Sequence, residues 1–137
     1  MDGRRTFLGL LAGMLPATLF AQRGTPAAAP AAQPRELARH TLAAPLDAYD
    51  VVLIELNPGP GVGREHRHTG PVLGYVLDGR VRFGVDHGAE QIVAAGSTFF
   101  EQAGMLHSTF GSADANGSAK ALAFMVVPKG TSGTVPA

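Results

Sequence analysis

The sequence predicts an all-β single domain, built as a sandwich or barrel of short strands, and three observations carry that reading. From Glu36 onward no helical apolar period is sustained. Apolar, β-branched runs recur instead, separated by turn residues every ~8–12 positions. No internal repeat and no second domain are seen, and 137 residues suit one domain.

The N-terminal segment stands apart. Met1–Gln22 reads MDGRRTFLGLLAGMLPATLFAQ, with Arg4 and Arg5 ahead of an apolar run from Phe7 to Phe20 and the small Ala21 behind it. Charge, apolar run and small residue in that order are those of a secretory signal, assigned to 1–21. Arg4-Arg5 followed by Thr6-Phe7-Leu8 resembles a twin-arginine signal, with an ordinary secretory signal or an uncleaved anchor as alternatives. The expected location is periplasmic or secreted, by the twin-arginine route. That route carries folded proteins, which suits a metal loaded before export. The run falls short of the ~20 apolar residues of a membrane helix, and Gly13 and Pro16 weaken it further. No stable membrane span is expected after signal cleavage.

Residues 22–35 include GTPAAAPAAQ and read as a flexible Ala/Pro linker. The barrel is assigned to 36–129 and a disordered tail to 130–137. Within the barrel, Asp50–Asn57 is β-branched and breaks at Pro58-Gly59-Pro60-Gly61. Pro71–Leu77 runs into Asp78-Gly79, whose residues tolerate positive φ and so predict a tight hairpin to Arg80–Asp86. His87-Gly88 and Ala95-Gly96 turn the chain around Glu90–Val93. Ser97–Glu101, His107–Phe110 and Lys120–Val127 complete the strands, with Gly111–Ser118 as a polar loop.

Eleven basic and eleven acidic side chains cancel, so the chain lacks the basic balance that a nucleic-acid partner requires. No cysteine is present, which excludes disulfides and thiolate metal sites. Any metal must be held by imidazole, carboxylate or amide groups.

His66-Arg67-His68 is the sharpest local motif. Side chains alternate along a strand, so His66 and His68 share a face and can hold one ion at ~2.1 Å. Taken alone, such a pair is more often two ordinary polar residues. His107, preceded by Gly104, supplies a third imidazole farther along the chain. His40, in the first strand, and His87, in a turn, read as surface residues.

With these residues in place the chain resembles the cupin family. Gly61, His66, His68 and Gly79 fit the frame of the family's first motif, and Gly96, Gly104 and His107 that of its second. The resemblance runs from about Leu46 to Val127. It implies a single-domain jelly-roll β-barrel with one divalent metal inside, iron, manganese, zinc or nickel, on His66, His68 and His107. Three family positions differ. The motif glutamate falls at Val72, which cannot ligate; the proline is Gln102; the asparagine is Gly111. Three readings of the metal site stay open: three histidines hold the ion alone, another group substitutes, or the loss of the glutamate abolishes binding. Glu101 is the preferred substitute, as a fourth ligand or as a residue that orients the ligands. It shares strand parity with Phe99. A carboxylate solvated at the barrel rim is its alternative.

Val72, Tyr75, Phe83, Phe99 and Met105 are the candidate pocket lining, with Phe110 and Phe124 beside them; each is equally a plain core residue. Arg64 and Arg67 flank the ligands as candidate contacts to an anionic substrate. The resemblance implies a metal enzyme of dioxygenase, decarboxylase or isomerase type acting on a small organic molecule, or a non-catalytic module binding a sugar or organic acid. It also implies a homodimer.

Overall fold

The computed structural model describes residues 32–137, which form ten strands. These are β1 (Ala32–Thr41), β2 (Tyr49–Asn57), β3 (His66–His68), β4 (Val72–Asp78), β5 (Arg80–Val85), β6 (Gln91–Ala94), β7 (Thr98–Glu101), β8 (Leu106–Ser112), β9 (Lys120–Pro128) and β10 (Thr134–Pro136). No helix occurs among the described residues. The strands pair antiparallel in two five-stranded sheets, β1-β2-β9-β4-β7 and β10-β3-β8-β5-β6. The expected signal segment, and all but the end of the expected linker, lie outside the described residues.

Side-chain alternation makes the two sheets close on each other. In β4, Val72, Gly74 and Val76 are buried while Leu73, Tyr75 and Leu77 are exposed. In β9, Ala121, Ala123, Met125 and Val127 are buried on alternate positions. The inward sets form two clusters, one around Val76, Val81, Phe83 and Phe99 and one around Val52, Val72, Met125 and Val127. Each such Val or Phe contributes ~1.5–3 kcal/mol on leaving water. Gly74 has a packing reason: a Cβ there would meet the Phe99 ring at 2.0 Å.

Four expectations are corrected. The linker does not extend to residue 35, because Arg35 already pairs with Glu55 within β1. The disordered tail over 130–137 is instead β10: Thr134, Val135 and Pro136 face His68, Arg67 and His66. The open edge of β3 leaves ladder groups unpaired, and β10 covers it; Pro136 is tolerated because β10 is itself an edge strand. Asp78-Gly79 does not make a hairpin. Gly79 has φ +70°, as the turn chemistry requires, but β4 and β5 belong to opposite sheets, so the turn is a corner between them. The β5–β6 turn falls one residue early, with Asp86 and His87 both at positive φ and Gly88 N–H donating to Val85.

Asp50 ties the first sheet to the C-terminal segment. It is 2% exposed and accepts hydrogen bonds from Gly130 N (2.9 Å), Thr41 Oγ1 (2.8 Å) and Arg39 Nη1 (3.0 Å). These donors, Gly130 foremost, pull its carboxyl down to about 2.

Candidate metal centre

β3 carries His66 and His68 on one face, as alternation predicts, and β8 brings His107 against them. Ligand atoms from the three rings all lie within 4.8 Å of one another. His66 Nε2 and His68 Nε2 are 3.1 Å apart. Two nitrogens bound to one ion at ~2.1 Å lie roughly 3.0–3.4 Å apart for octahedral to tetrahedral angles. His66 Nδ1 is 2.8 Å from the Arg64 carbonyl. A carbonyl only accepts, so Nδ1 carries the proton and Nε2 keeps its lone pair toward the other rings.

A bulge aims His107. Gly84 pairs with Thr109 but Val85 with His107, so β8 has one residue more than β5 between those pairs. The extra residue bends the strand and lets His107 and Phe110 both line the same cavity, although they differ in parity. His107 is 5% exposed and packed between Phe83 (ring centroids 5.5 Å) and Phe110 (5.1 Å). Burial, then the neighbouring His66, push its pKa down to about 3; the same causes push His68 to about 4. Both rings are therefore neutral near pH 7, the state in which imidazole ligates.

Glu101, from β7, flanks the three-histidine group on the side of His68 and His107. It is 1% exposed, with Oε1 3.3 Å from His107 Nδ1 and 3.8 Å from His68 Nε2. With both rings neutral, these approaches are not ion pairs. Burial raises the Glu101 carboxyl to about 7. Among the described residues neither carboxylate oxygen has a hydrogen-bond partner. His68 faces His66 with Nε2, and backbone groups of Gly133 and Thr109 next to His68 and His107 partly offset the effect of burial on those rings. Buried polar atoms are nearly always satisfied, so the Glu101 oxygens beside the imidazole nitrogens are suited to a shared cation. Neutral nitrogen donors with a carboxylate and no thiolate fit a divalent iron, manganese, nickel or zinc ion. The residues present fit the metal that the family resemblance implies.

The cluster opens on a cavity of about 610 Å³, within the roughly 300–1,000 Å³ of small-molecule sites. Val72 and Phe99 line it, as expected, and Arg64 sits on its wall. Other expected lining residues are corrected. Tyr75 is 44% and Phe124 45% exposed on the outer face. Parity explains both: Tyr75 is three residues from Val72, and Phe124 lies between the buried Ala123 and Met125. Phe83 packs behind His107 in the core, and Met105 lies in the turn before β8; neither reaches the cavity wall. Arg67 donates to the Gly104 carbonyl at 2.8 Å and is absent from that wall. His40 and His87 are exposed. Sequence reasoning missed Ile54, Leu56 and Met125, whose inward parity on β2 and β9 was a usable signal. It also missed Thr134–Pro136, for which no local signal existed.

The family model described as Cupin domain matches residues 52–127, from β2 into β9. No curated protein matches the chain. Similar solved structures include the DMSP lyase DddQ from Ruegeria pomeroyi DSS-3, at 18% identity over 66% of this chain and 43% of that one, TM-score 0.52. KdgF from Halomonas sp. is similar at 15% identity over 72% and 80%, TM-score 0.51. The conserved SPY1581 protein of unknown function from Streptococcus pyogenes is similar at 22% over 71% and 75%, TM-score 0.50. At these identities the likeness is one of fold, and the chain spans less than half of the lyase.

Proposed function

On the premise that this chain belongs to the cupin family, we propose that it is a mononuclear divalent-metal protein whose ion is held by His66, His68 and His107 beside a cavity for a small organic molecule. The observation that carries the proposal is the convergence of three imidazoles from β3 and β8, two of them neutral by burial, whose ligand atoms lie within 4.8 Å of one another. Three nitrogen ligands leave coordination positions open, and a bound divalent ion there supplies Lewis acidity toward a carbonyl or carboxylate of that molecule.

The chain's own residues prepare the site for such a molecule. Ile54, Leu56, Val72, Phe99 and Met125 exclude water from the cavity and bind the apolar part of a ligand. Arg64, on the same wall, offers a planar donor set to an anionic group. Glu101 lies beside two ring nitrogens, and with no cation bound its burial raises the carboxyl to about 7. Chemistry of dioxygenase, decarboxylase or isomerase type fits these parts. The predominantly apolar wall also favours a second reading, a module that binds a small organic acid or sugar without turning it over.

Metal analysis tests the proposal. Protein purified without chelator is expected to carry about one divalent ion per chain, lost in His66→Ala and His107→Ala. Equal metal content in wild type and both variants overturns it. Turnover of a panel of diketones, catechols and hydroxy acids by the metal-loaded protein separates the enzyme from the binding module.

Export by the twin-arginine route and a homodimer belong to the same proposal. Arg4→Lys with Arg5→Lys is expected to retain the protein in the cytoplasm. For the dimer, Leu73, Phe100 and Phe124 are about half exposed and stand side by side across β7, β4 and β9. Sedimentation at several concentrations reads the association state.

A further inference from the structure

The missing motif glutamate has a replacement across the sheet. Val72 stands where cupins carry the glutamate, and its register partner on the neighbouring strand β7 is Glu101. In an antiparallel ladder, directly opposed residues have Cβ atoms ~4.5–5.5 Å apart on the same face. A carboxylate at 101 therefore enters the barrel within one residue's width of a carboxylate at 72.

We infer that Glu101 is the fourth protein ligand of the metal site, a carboxylate moved from β4 to the facing position on β7. The inference rests on the proposed metal reading and extends it to a residue outside the three-histidine set. Its support is geometric. Oε1 lies 3.3 Å from His107 Nδ1 and 3.8 Å from His68 Nε2. The side chain is 1% exposed, and neither oxygen has a hydrogen-bond partner among the described residues. Arg64, on the cavity wall, makes no ion pair with it. A buried carboxylate without a partner is costly, and a cation at the imidazole cluster is the partner this geometry offers. Val72 is the complementary half of the exchange: its apolar side chain leaves room for the carboxylate from the facing strand and adds no second negative charge.

The rival role is that Glu101 only orients the His107 ring. The full chain, stripped of metal and titrated with Co(II) against a competing chelator, separates the two. Glu101→Val is expected to weaken Co(II) binding by about 10–100-fold or more and to alter the visible Co(II) spectrum as an oxygen donor is lost; Glu101→Gln, which keeps an amide oxygen without the charge, is expected to weaken binding less. The metal-free Glu101→Val protein is expected to melt higher than wild type, because an unpartnered buried carboxylate is gone. The exchange Val72→Glu with Glu101→Val is expected to return affinity to within a few-fold of wild type.

Unchanged affinity and spectrum in Glu101→Val, with binding lost in His107→Ala, overturn the inference and leave the three-histidine reading standing. Weakened binding in Glu101→Val with the donor spectrum unchanged also overturns it, in favour of the orienting role. Wild-type protein that binds no Co(II) overturns both. If the exchange variant does not fold, the Glu101→Val affinity and spectrum decide.

Discussion

His66 and His107 are register partners across the β3–β8 ladder, with ring centroids 5.0 Å apart. The sheet itself therefore holds two of the three imidazoles at ligand spacing, whatever the loops do. Replacing either by alanine is expected to abolish the thermal stabilisation that added Zn(II) or Mn(II) gives the wild type. A ligand at one hundred times its dissociation constant stabilises by about 2.7 kcal/mol, which shifts melting by several degrees. A wild-type-sized shift in His107→Ala rejects the ligand assignment.

Metal-free protein is expected to be most stable near pH 6.5. His68 and His107 fall from 6.5 to about 4 and about 3 on folding, so the unfolded chain takes up their protons first. Their contribution is full above pH 6.5 and is lost as pH falls toward those folded values. Glu101 rises from 4.5 to about 7, so its contribution is full below 4.5 and is lost as pH climbs to about 7. Two histidines outweigh one glutamate between pH 4.5 and 6.5; above 6.5 only the glutamate acts. Melting in a chelating buffer should rise from pH 4.5 to 6.5 and decline slightly beyond. A flat profile over that range contradicts the burial of these groups.

Asp50 predicts a separate acid limb. Its folded pKa of about 2 lies below the ordinary 3.8, so its stabilisation is present above pH 4 and lost as pH falls toward 2. Asp50→Asn is expected to lower the melting temperature at pH 7, because Arg39, Thr41 and Gly130 lose a charged acceptor. It should also flatten the profile between pH 4 and 2. A variant that melts like wild type at pH 7 rejects this clamp.

Removing residues 133–137 takes away β10, the outer partner of the strand that carries His66 and His68. It also removes Thr134, Val135 and Pro136 from the cavity wall. The truncated protein is expected to stay folded, because the two core clusters draw on other strands. Its metal affinity should fall by about tenfold as the ligand strand loses orientation. Chelator competition measures the change, and wild-type affinity would show that β8 alone positions β3.

Gly111 stands where the family has asparagine. A Cβ there would meet the Gly61 carbonyl oxygen at 1.8 Å. Restoring the family residue with Gly111→Asn is therefore expected to destabilise by about 1–3 kcal/mol, read by chemical denaturation. A neutral result would mean that the loop over Gly59–Gly61 yields freely.

Local pattern carried most of the strand assignments. The runs at 50–57, 71–77, 80–86 and 120–127 match β2, β4, β5 and β9 to within a residue or two, because alternation and β-branching are properties of contiguous residues. The shared face of His66 and His68 was legible for the same reason. Glu101 could be proposed from its parity with Phe99, but its position opposite Val72 could not, since register between β4 and β7 is a relation between distant segments.

What the sequence by itself determined is the all-β class, the shared face of His66 and His68, and the cupin resemblance, which is what singled out the distant His107. Only the tertiary structure decided that Asp78-Gly79 turns a corner between sheets, that β10 replaces a loose tail, and that Tyr75 and Phe124 face outward. It alone brought Glu101 beside His68 and His107. The physical reason is that ladder partners, bulges and burial are set by which strands meet across the barrel, and that choice depends on closing one core from residues far apart in the chain.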